Sequence, residues 1–190
     1  YVTWASGYKS GALQYLAILP AAAQVSAAPE ESENVEIGLK GTFFDRTLRL
    51  NAAAFRTQIE DLQALRVEPG SLIGVPVISN TGDATIEGFE VEGEYILSEN
   101  ISVDFNYAYL DATYDTFVTQ FGDQRGNTLP RSPEHSWGVS VNTYHNVGSG
   151  QLLGRIGYSW RDEVFFEADN GELNAESGEG SIEFLDASLN

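Results

Sequence analysis

The sequence contains no cysteine and no methionine, and it has only two histidines, His135 and His145. Without cysteine the protein can form no disulfide, no zinc–thiolate site and no cysteine nucleophile. The spacing of the two histidines matches no metal-ligand motif. Because a translated chain starts at methionine and this one starts at Tyr1, we expect an internal or processed part of a longer protein.

Basic residues are scarce, since 10 Lys and Arg stand against 28 Asp and Glu and give a net charge of -18. Phosphate backbones repel such a chain, so no nucleic-acid partner is expected. Disorder is also disfavoured, because 42% of the residues are apolar and 12% are aromatic.

Long hydrophobic runs are absent as well. The longest candidate, Ala12–Ala23, is interrupted by Gln14 and Pro20, and a membrane helix needs roughly 18 apolar residues. Helical membrane spans are therefore excluded. A membrane β-barrel stays possible, because its strands turn every second residue toward a polar interior.

The strongest pattern present is a strict alternation of apolar and polar residues. In Ile101–Tyr109 every odd position is apolar or aromatic and every even position is small or polar. Adjacent side chains point to opposite faces only in an extended strand. The alternation predicts eight strands: Val2–Ser6, Val35–Phe43, Leu48–Ala54, Phe89–Leu97, Ile101–Tyr109, Ser136–Thr143, Leu152–Trp160 and Phe184–Asn190. Phe55 breaks the alternation and indicates either a bulge or an aromatic residue on the polar face.

The connections between these strands alternate in length. Tight turns are predicted near Asp45, Glu99 and Gly148, and long polar loops over residues 7–31, 66–84, 115–133 and 162–180. All turns then lie at one end of the sheet and all loops at the other. This asymmetry is typical of outer-membrane barrels, which have short periplasmic turns and long extracellular loops.

Parity also restricts the strand register. To keep the apolar faces on one side, Glu94 must oppose Asp104 or Asn106, and Phe43 can oppose Leu48. A slip by one residue would mix the two faces. The pattern predicts an all-β fold, an antiparallel transmembrane β-barrel represented by a fragment of about eight strands.

Three stretches resemble one protein family in their residues, in their order along the chain and in the spacing between them. They are YVTWASGYKSG followed after a loop by PEESENVEIGLKGTFFDRTLRLNAAAFRTQIEDLQ, then NTGDATIEGFEVEGEYILSENISVDFNYAYLDATY, and finally LPRSPEHSWGVSVNTY. Together they resemble the middle to C-terminal strands of the β-barrel domain of TonB-dependent outer-membrane receptors. The resemblance implies a barrel of about 22 strands around an N-terminal plug. Residues 1–190 would be a partial barrel domain that lacks the plug and the final strand.

This resemblance implies uptake of a scarce solute, such as a ferric siderophore, across the outer membrane of a Gram-negative bacterium. The TonB–ExbB–ExbD system would act through the missing plug domain. The implied partners are outer-membrane lipid and a small ligand, which could be an iron complex, a vitamin or an oligosaccharide. No cofactor, no metal and no catalytic residue is expected, so the protein is predicted not to be an enzyme.

Two other classes fit the residue pattern. A passive porin-like channel would show the same alternation. A soluble β-sandwich binding module would pack its apolar faces against each other instead of against lipid.

Four carboxylates are predicted to share the polar face of two neighbouring strands, namely Glu90, Glu92, Glu94 and Asp104. Such a group could bind a cation or form an acid–base pair. It could also form a hydrated lumenal wall that meets basic groups of the plug. The lumenal wall is favoured, because alternate strand positions rarely supply the roughly six oxygens that calcium needs.

Aromatic residues near the strand ends predict a girdle at the membrane interface, with ordinary packing in a soluble core as the alternative. They are Trp4, Tyr107, Tyr109, Trp137, Tyr158 and Trp160.

The third long loop carries the candidates for ligand contact, Asp123, Arg125 and Arg131. The two arginines could hold an anionic ligand through bidentate hydrogen bonds. Alternatively, they could pair with carboxylates of the same loop.

Overall fold

The computed structural model describes residues 1–13, 26–67, 76–119, 122–172 and 176–190, and all regular structure there is β-strand. No helix in these ranges has the length and apolarity to cross a membrane. The strands in chain order are β1 (Val2–Lys9), β2 (Ala12–Leu13), β3 (Ser26–Ala27), β4 (Glu30–Phe43), β5 (Leu48–Glu60), β6 (Gln63–Val67), β7 (Pro76–Asn80), β8 (Gly82–Ser98), β9 (Ile101–Thr119), β10 (Gly122–Asp123), β11 (His135–Val147), β12 (Gly150–Arg161), β13 (Val164–Phe165), β14 (Gly178–Glu179) and β15 (Ile182–Leu189).

Eight long strands form one antiparallel sheet in the order β1-β4-β5-β8-β9-β11-β12-β15, which confirms the predicted count. Each strand pairs with the next long strand of the chain, so the sheet is a simple meander. The short strands lie in the long connections, where they form small pairs of their own, except for β10, which pairs antiparallel with the end of β9. We call these connections loop 1 (residues 10–29), loop 2 (61–81), loop 3 (120–134) and loop 4 (162–181), and their side of the sheet the loop end.

The predicted register is confirmed. Glu94 lies opposite Asp104 and Phe43 lies opposite Leu48. At Phe55 the pairing continues without a shift on both sides of the strand. Phe55 is therefore an aromatic residue on the polar face, and a bulge at this position is excluded. Register shifts occur instead at the two ends of β8.

We call the other side of the sheet the turn end. The turn that joins β4 to β5 there is as tight as predicted. Phe44, Asp45 and Arg46 all have positive φ angles, of 51°, 52° and 71°. Thr47 closes the turn, because its backbone N–H donates to the Phe44 carbonyl oxygen at 3.0 Å.

Several strands extend further toward the loop end than the alternation predicted. β9 continues to Thr119 and β8 begins at Gly82, so the predicted bounds of the long loops were too wide. The physical reason is a change of polarity. Beyond Tyr109 the apolar residues of β9 move to the other face, and a search for one constant parity stops at that point.

The apolar core of the described residues lies on this displaced face at the loop end. Ala84, Tyr114 and Phe117 are buried together, and the rings of Tyr114 and Phe117 stack at 4.6 Å. Burial raises the pKa of the Tyr114 phenol. Residues of β5 and of loops 2, 3 and 4 pack against this centre: Ile59, Leu62, Ala64, Leu129 and Ala168. Loops 2, 3 and 4 therefore pack against the same buried cluster.

The opposite, apolar face of the sheet has no such cover. Ile37, Leu39 and Ile156 are each more than half exposed, at 59%, 53% and 53%. No large side chain among the described residues is completely buried. A sheet with this much exposed apolar surface requires an apolar environment.

Candidate functional site

The polar face of the sheet is a connected wall centred on Asp104. Its carboxylate accepts hydrogen bonds from Asn142 Nδ2 at 2.8 Å and Ser140 Oγ at 3.3 Å. The guanidinium of Arg155 lies 3.6 Å from Asp104 and 3.8 Å from Asp186. Strands β9, β11, β12 and β15 are thereby linked across the wall.

The other predicted wall carboxylates have unequal surroundings. Arg49 lies 3.2 Å from Glu94, and Asn51 Nδ2 donates to Glu92 at 2.8 Å. Glu90 has no hydrogen-bond or ion-pair partner within the described ranges. It lies between Ala53 and Ala108 of the adjacent strands, whose small side chains leave space beside the carboxylate.

The geometry favours a hydrated wall over a cation site or an acid–base pair. Glu94 and Asp104 oppose each other, but each has its own arginine partner. Nowhere in the described chain do three Asp, Glu or His side chains come together as metal ligands. The polar side chains line an open groove of about 570 Å³.

Sequence reasoning missed five further members of this wall, namely two arginines, two asparagines and one aspartate: Arg49, Arg155, Asn51, Asn142 and Asp186. The parity of the strands could have identified them, since each occupies a polar-face position. Their pairing with the carboxylates also depends on register, which the sequence restricted but did not fully determine.

The predicted aromatic residues lie on the apolar face. Those of β11 and β12 are close to the loop end, whereas Tyr107 and Tyr109 lie near the middle of β9. The Trp137 and Tyr158 rings lie 5.3 Å apart, and Trp160 is paired with Trp137 across the strands. Trp4 is 64% exposed on the edge strand β1. The rings of β11 and β12 therefore form a row across these strands, whereas Trp4 lies apart from it, opposite Val35.

Tyr107 and Tyr109 extend this row through contacts that the sequence did not reveal. Phe89 contacts both rings at 5.6 and 5.7 Å. The ring of His135 lies 5.3 Å from Tyr109, and its Nδ1 shares a hydrogen bond of 2.9 Å with the Tyr107 hydroxyl. The register pairs His135 with Tyr109, and His135 can be identified as a member of this cluster only once that register is known.

The aromatic row is the border of the apolar band. Two residues further toward the loop end, the same face carries Arg56, Glu87 and Asp111, and Arg56 lies 3.7 Å from Glu87. From Ile101 to Tyr109 the band extends about 27 Å along the strand at about 3.4 Å per residue. A tilt of about 40° reduces this to about 21 Å of height, close to the ~25 Å apolar band of outer-membrane barrels.

The three loop candidates lie in different surroundings. Arg125 pairs with Asp123 at 3.4 Å, and its backbone N–H donates to the same carboxylate at 3.1 Å. Arg131 is exposed and has a φ of 61°. Its N–H donates to the Phe165 carbonyl oxygen at 2.8 Å. Arg125 is therefore engaged by a carboxylate of its own loop, and the hold of one ligand by both arginines stays a prediction.

Arg131 differs from the other cations at the loop end. Lys9 pairs with Glu30 at 3.6 Å, and Arg161 pairs with Glu179. Arg131 forms no ion pair with any residue that the structure describes.

Comparison with known proteins places this geometry in a family. The family model described as "TonB dependent receptor-like, beta-barrel" matches residues 1–190. The pesticin receptor of Yersinia enterocolitica is 28% identical over 192 residues, which cover 100% of this chain and 26% of the receptor. The probable TonB-dependent siderophore receptor PiuA of Acinetobacter baumannii is 31% identical over 150 residues, 75% of this chain and 19% of PiuA.

A solved structure gives the same result. The ferric yersiniabactin uptake receptor FyuA of Yersinia pestis superimposes with a TM-score of 0.75 and 26% identity, over 99% of this chain and 26% of FyuA. The chain thus spans about a quarter of the length of these relatives. Its apolar face is the lipid side of the wall and its polar face is the lumenal side. The chain belongs to the TonB-dependent receptors and forms part of their outer-membrane β-barrel.

Proposed function

We propose that the receptor carrying this wall takes up a scarce solute, with a ferric siderophore as the first candidate, using energy supplied through TonB. The observation that carries this proposal is a polar, largely charge-paired wall behind a lipid-facing band, in a chain that matches siderophore receptors along its length. Residues 1–190 supply wall and external loops in this proposal. The plug domain, on which the TonB–ExbB–ExbD system acts, is a separate part of the receptor.

The lumenal wall has a defined role in this proposal. Glu90 lacks a partner among the described residues, and Glu92 is bonded only through an amide. Carboxylates of this kind attract basic side chains on a protein surface that fills the lumen. We assign them to contact with the plug and not to the ligand. The proposal includes no bond-making chemistry, so the receptor is not an enzyme.

Uptake of iron from ferric yersiniabactin, the complex named for FyuA, tests the function. We expect saturable uptake by cells that express the receptor, and loss of uptake when TonB is removed. A transporter driven from the inner membrane needs that energy, whereas a passive channel does not. Flux that persists without TonB and does not saturate would favour the porin-like alternative.

We propose Arg131 as a direct contact of the anionic groups of the ligand. Arg131→Gln removes a charge that is not used in any described ion pair, so the barrel should keep its stability. A charge-assisted hydrogen bond contributes about 1.5–3 kcal/mol, so affinity for ferric yersiniabactin should fall about 10- to 100-fold. Equilibrium binding to the purified receptor measures the change.

Arg125→Gln is the matched control in the same loop. Its guanidinium is already paired with Asp123, so we expect a loss of affinity below about threefold, the size of a surface ion pair. An equal loss in both variants would show that general charge at the loop end determines binding, and would remove the specific role of Arg131.

A further inference from the structure

One side chain of loop 4 holds the backbone of loop 3. The N–H of Thr128 donates to Asn170 Oδ1 at 2.7 Å, and Asn170 Nδ2 donates to the Thr128 carbonyl oxygen at 2.9 Å. An amide side chain carries both a donor and an acceptor, so it can satisfy both backbone groups of one residue as a neighbouring strand would. We call this pair of bonds the loop clamp.

Two other contacts support the clamp. Asn127 Nδ2 donates to the Ala168 carbonyl oxygen at 2.9 Å. The N–H of Arg131 donates to the Phe165 carbonyl oxygen at 2.8 Å. Leu129 and Ala168 also pack on the same buried centre. Loop 3 is therefore bonded to loop 4 along the segment from residue 127 to residue 131.

This segment contains Arg131 in an unfavourable backbone conformation. A residue with a Cβ is strained at a φ of 61°, because its Cβ comes too close to the following carbonyl oxygen. Such a conformation persists only where the surroundings determine it. Here the surroundings are the Phe165 carbonyl oxygen on one side and the clamped Thr128 on the other.

We infer that Asn170 is a positioning residue: it makes loops 3 and 4 move as one unit and thereby fixes Arg131 in the conformation that meets the ligand. The coupling of the loops stands on the contacts described above. The consequence for the ligand rests on the function proposed for Arg131.

Loops 1 and 2 contain the same device and provide an internal control. Asn80 Oδ1 accepts from the Ala28 N–H at 2.7 Å, and Asn80 Nδ2 donates to the carbonyl oxygens of Ala28 at 3.1 Å and Asp61 at 2.6 Å. Asn80→Ala removes a comparable set of bonds from the other loop pair, so it measures what loss of such bonds does at a distance from Arg131.

Hydrogen exchange on the whole receptor in detergent tests the coupling. Asn170→Gly removes both clamp bonds and suits the φ of 50° at this position. Two lost hydrogen bonds, at about 1 kcal/mol each, should accelerate exchange about 10- to 30-fold. We expect this at the amides of Arg131 and Phe166, neither of which is bonded to Asn170, and no change at the Thr81 amide. Asn80→Ala should give the reverse pattern.

Binding of ferric yersiniabactin tests the positioning role. Asn170→Gly should weaken binding by a smaller factor than Arg131→Gln does, and it should add no further loss in the Arg131→Gln background. Such non-additivity indicates that two residues act through one contact. A purely structural role would instead give additive losses.

Three outcomes would overturn the inference. Faster exchange confined to Thr128 would show that the clamp is local. Unchanged binding in Asn170→Gly, alongside a loss in Arg131→Gln, would remove the positioning role. Additive losses would do the same. If Arg131→Gln leaves binding unchanged, the proposed role of Arg131 fails, and the exchange pattern still decides whether the loops are coupled.

Discussion

Phe105→Arg should destabilise the assembled barrel by about 2–4 kcal/mol, because it places a charge near the middle of the lipid-facing band. Phe105 lies on the apolar face between Gly93 and Val139 of the neighbouring strands. An arginine there must leave water or distort the surrounding lipid. Urea titration of the receptor folded into lipid vesicles measures the change.

Two variants isolate the effect of the charge. Asn106→Arg places the same side chain one residue along the strand, on the polar face opposite Glu92, and should cost less than about 1 kcal/mol, as is usual for a surface substitution. Phe105→Leu accounts for the loss of the ring, which covers the Gly93 backbone. Equal penalties for Phe105→Arg and Asn106→Arg would contradict the assignment of the two faces.

The 190-residue chain expressed by itself should not form a monodisperse monomer in water. Its apolar face is exposed, as Ile37 and Leu39 show. In the described sheet β1 and β15 each pair on one side only. Exposed apolar surface and open strand edges both promote association, and a charge of -18 can slow this association but not satisfy the backbone groups. We expect large assemblies in light scattering.

Detergent provides the comparison for this experiment. The same chain in micelles should stay dispersed, because the detergent covers the apolar face. A monodisperse monomer in plain buffer that unfolds cooperatively in urea would contradict the arrangement of faces described above.

Much of the wall could be predicted from the sequence because strand geometry converts parity directly into faces. Parity and the tight turns narrowed the residue opposite Glu94 to Asp104 or Asn106, and the structure has Asp104. The extension of β9 to Thr119 did not, because its polarity changes sides beyond Tyr109. A strand that is covered by lipid on one face and by loops on the other has no single hydrophobic period.

The loop contacts were beyond sequence reasoning for a different reason. Thr128 and Asn170 are distant in the chain, and no periodic pattern relates them. Asn170 reads as an ordinary turn residue, and only the folded loops show that its amide bonds a backbone in another loop. For the same reason the candidates Arg125 and Arg131 looked equivalent in the sequence, although only Arg125 has a carboxylate partner among the described residues.

The meander order of the sheet also determines how the width of such a wall can change during evolution. Each long strand pairs only with its chain neighbours. Deleting the hairpin β11–β12 would bring β9 beside β15, still antiparallel and still joined by a connection at the loop end. Deleting one strand would instead place two parallel strands side by side and leave a connection that must run the full height of the sheet. The turn-linked hairpin is therefore the unit by which the circumference can grow or shrink through duplication or loss.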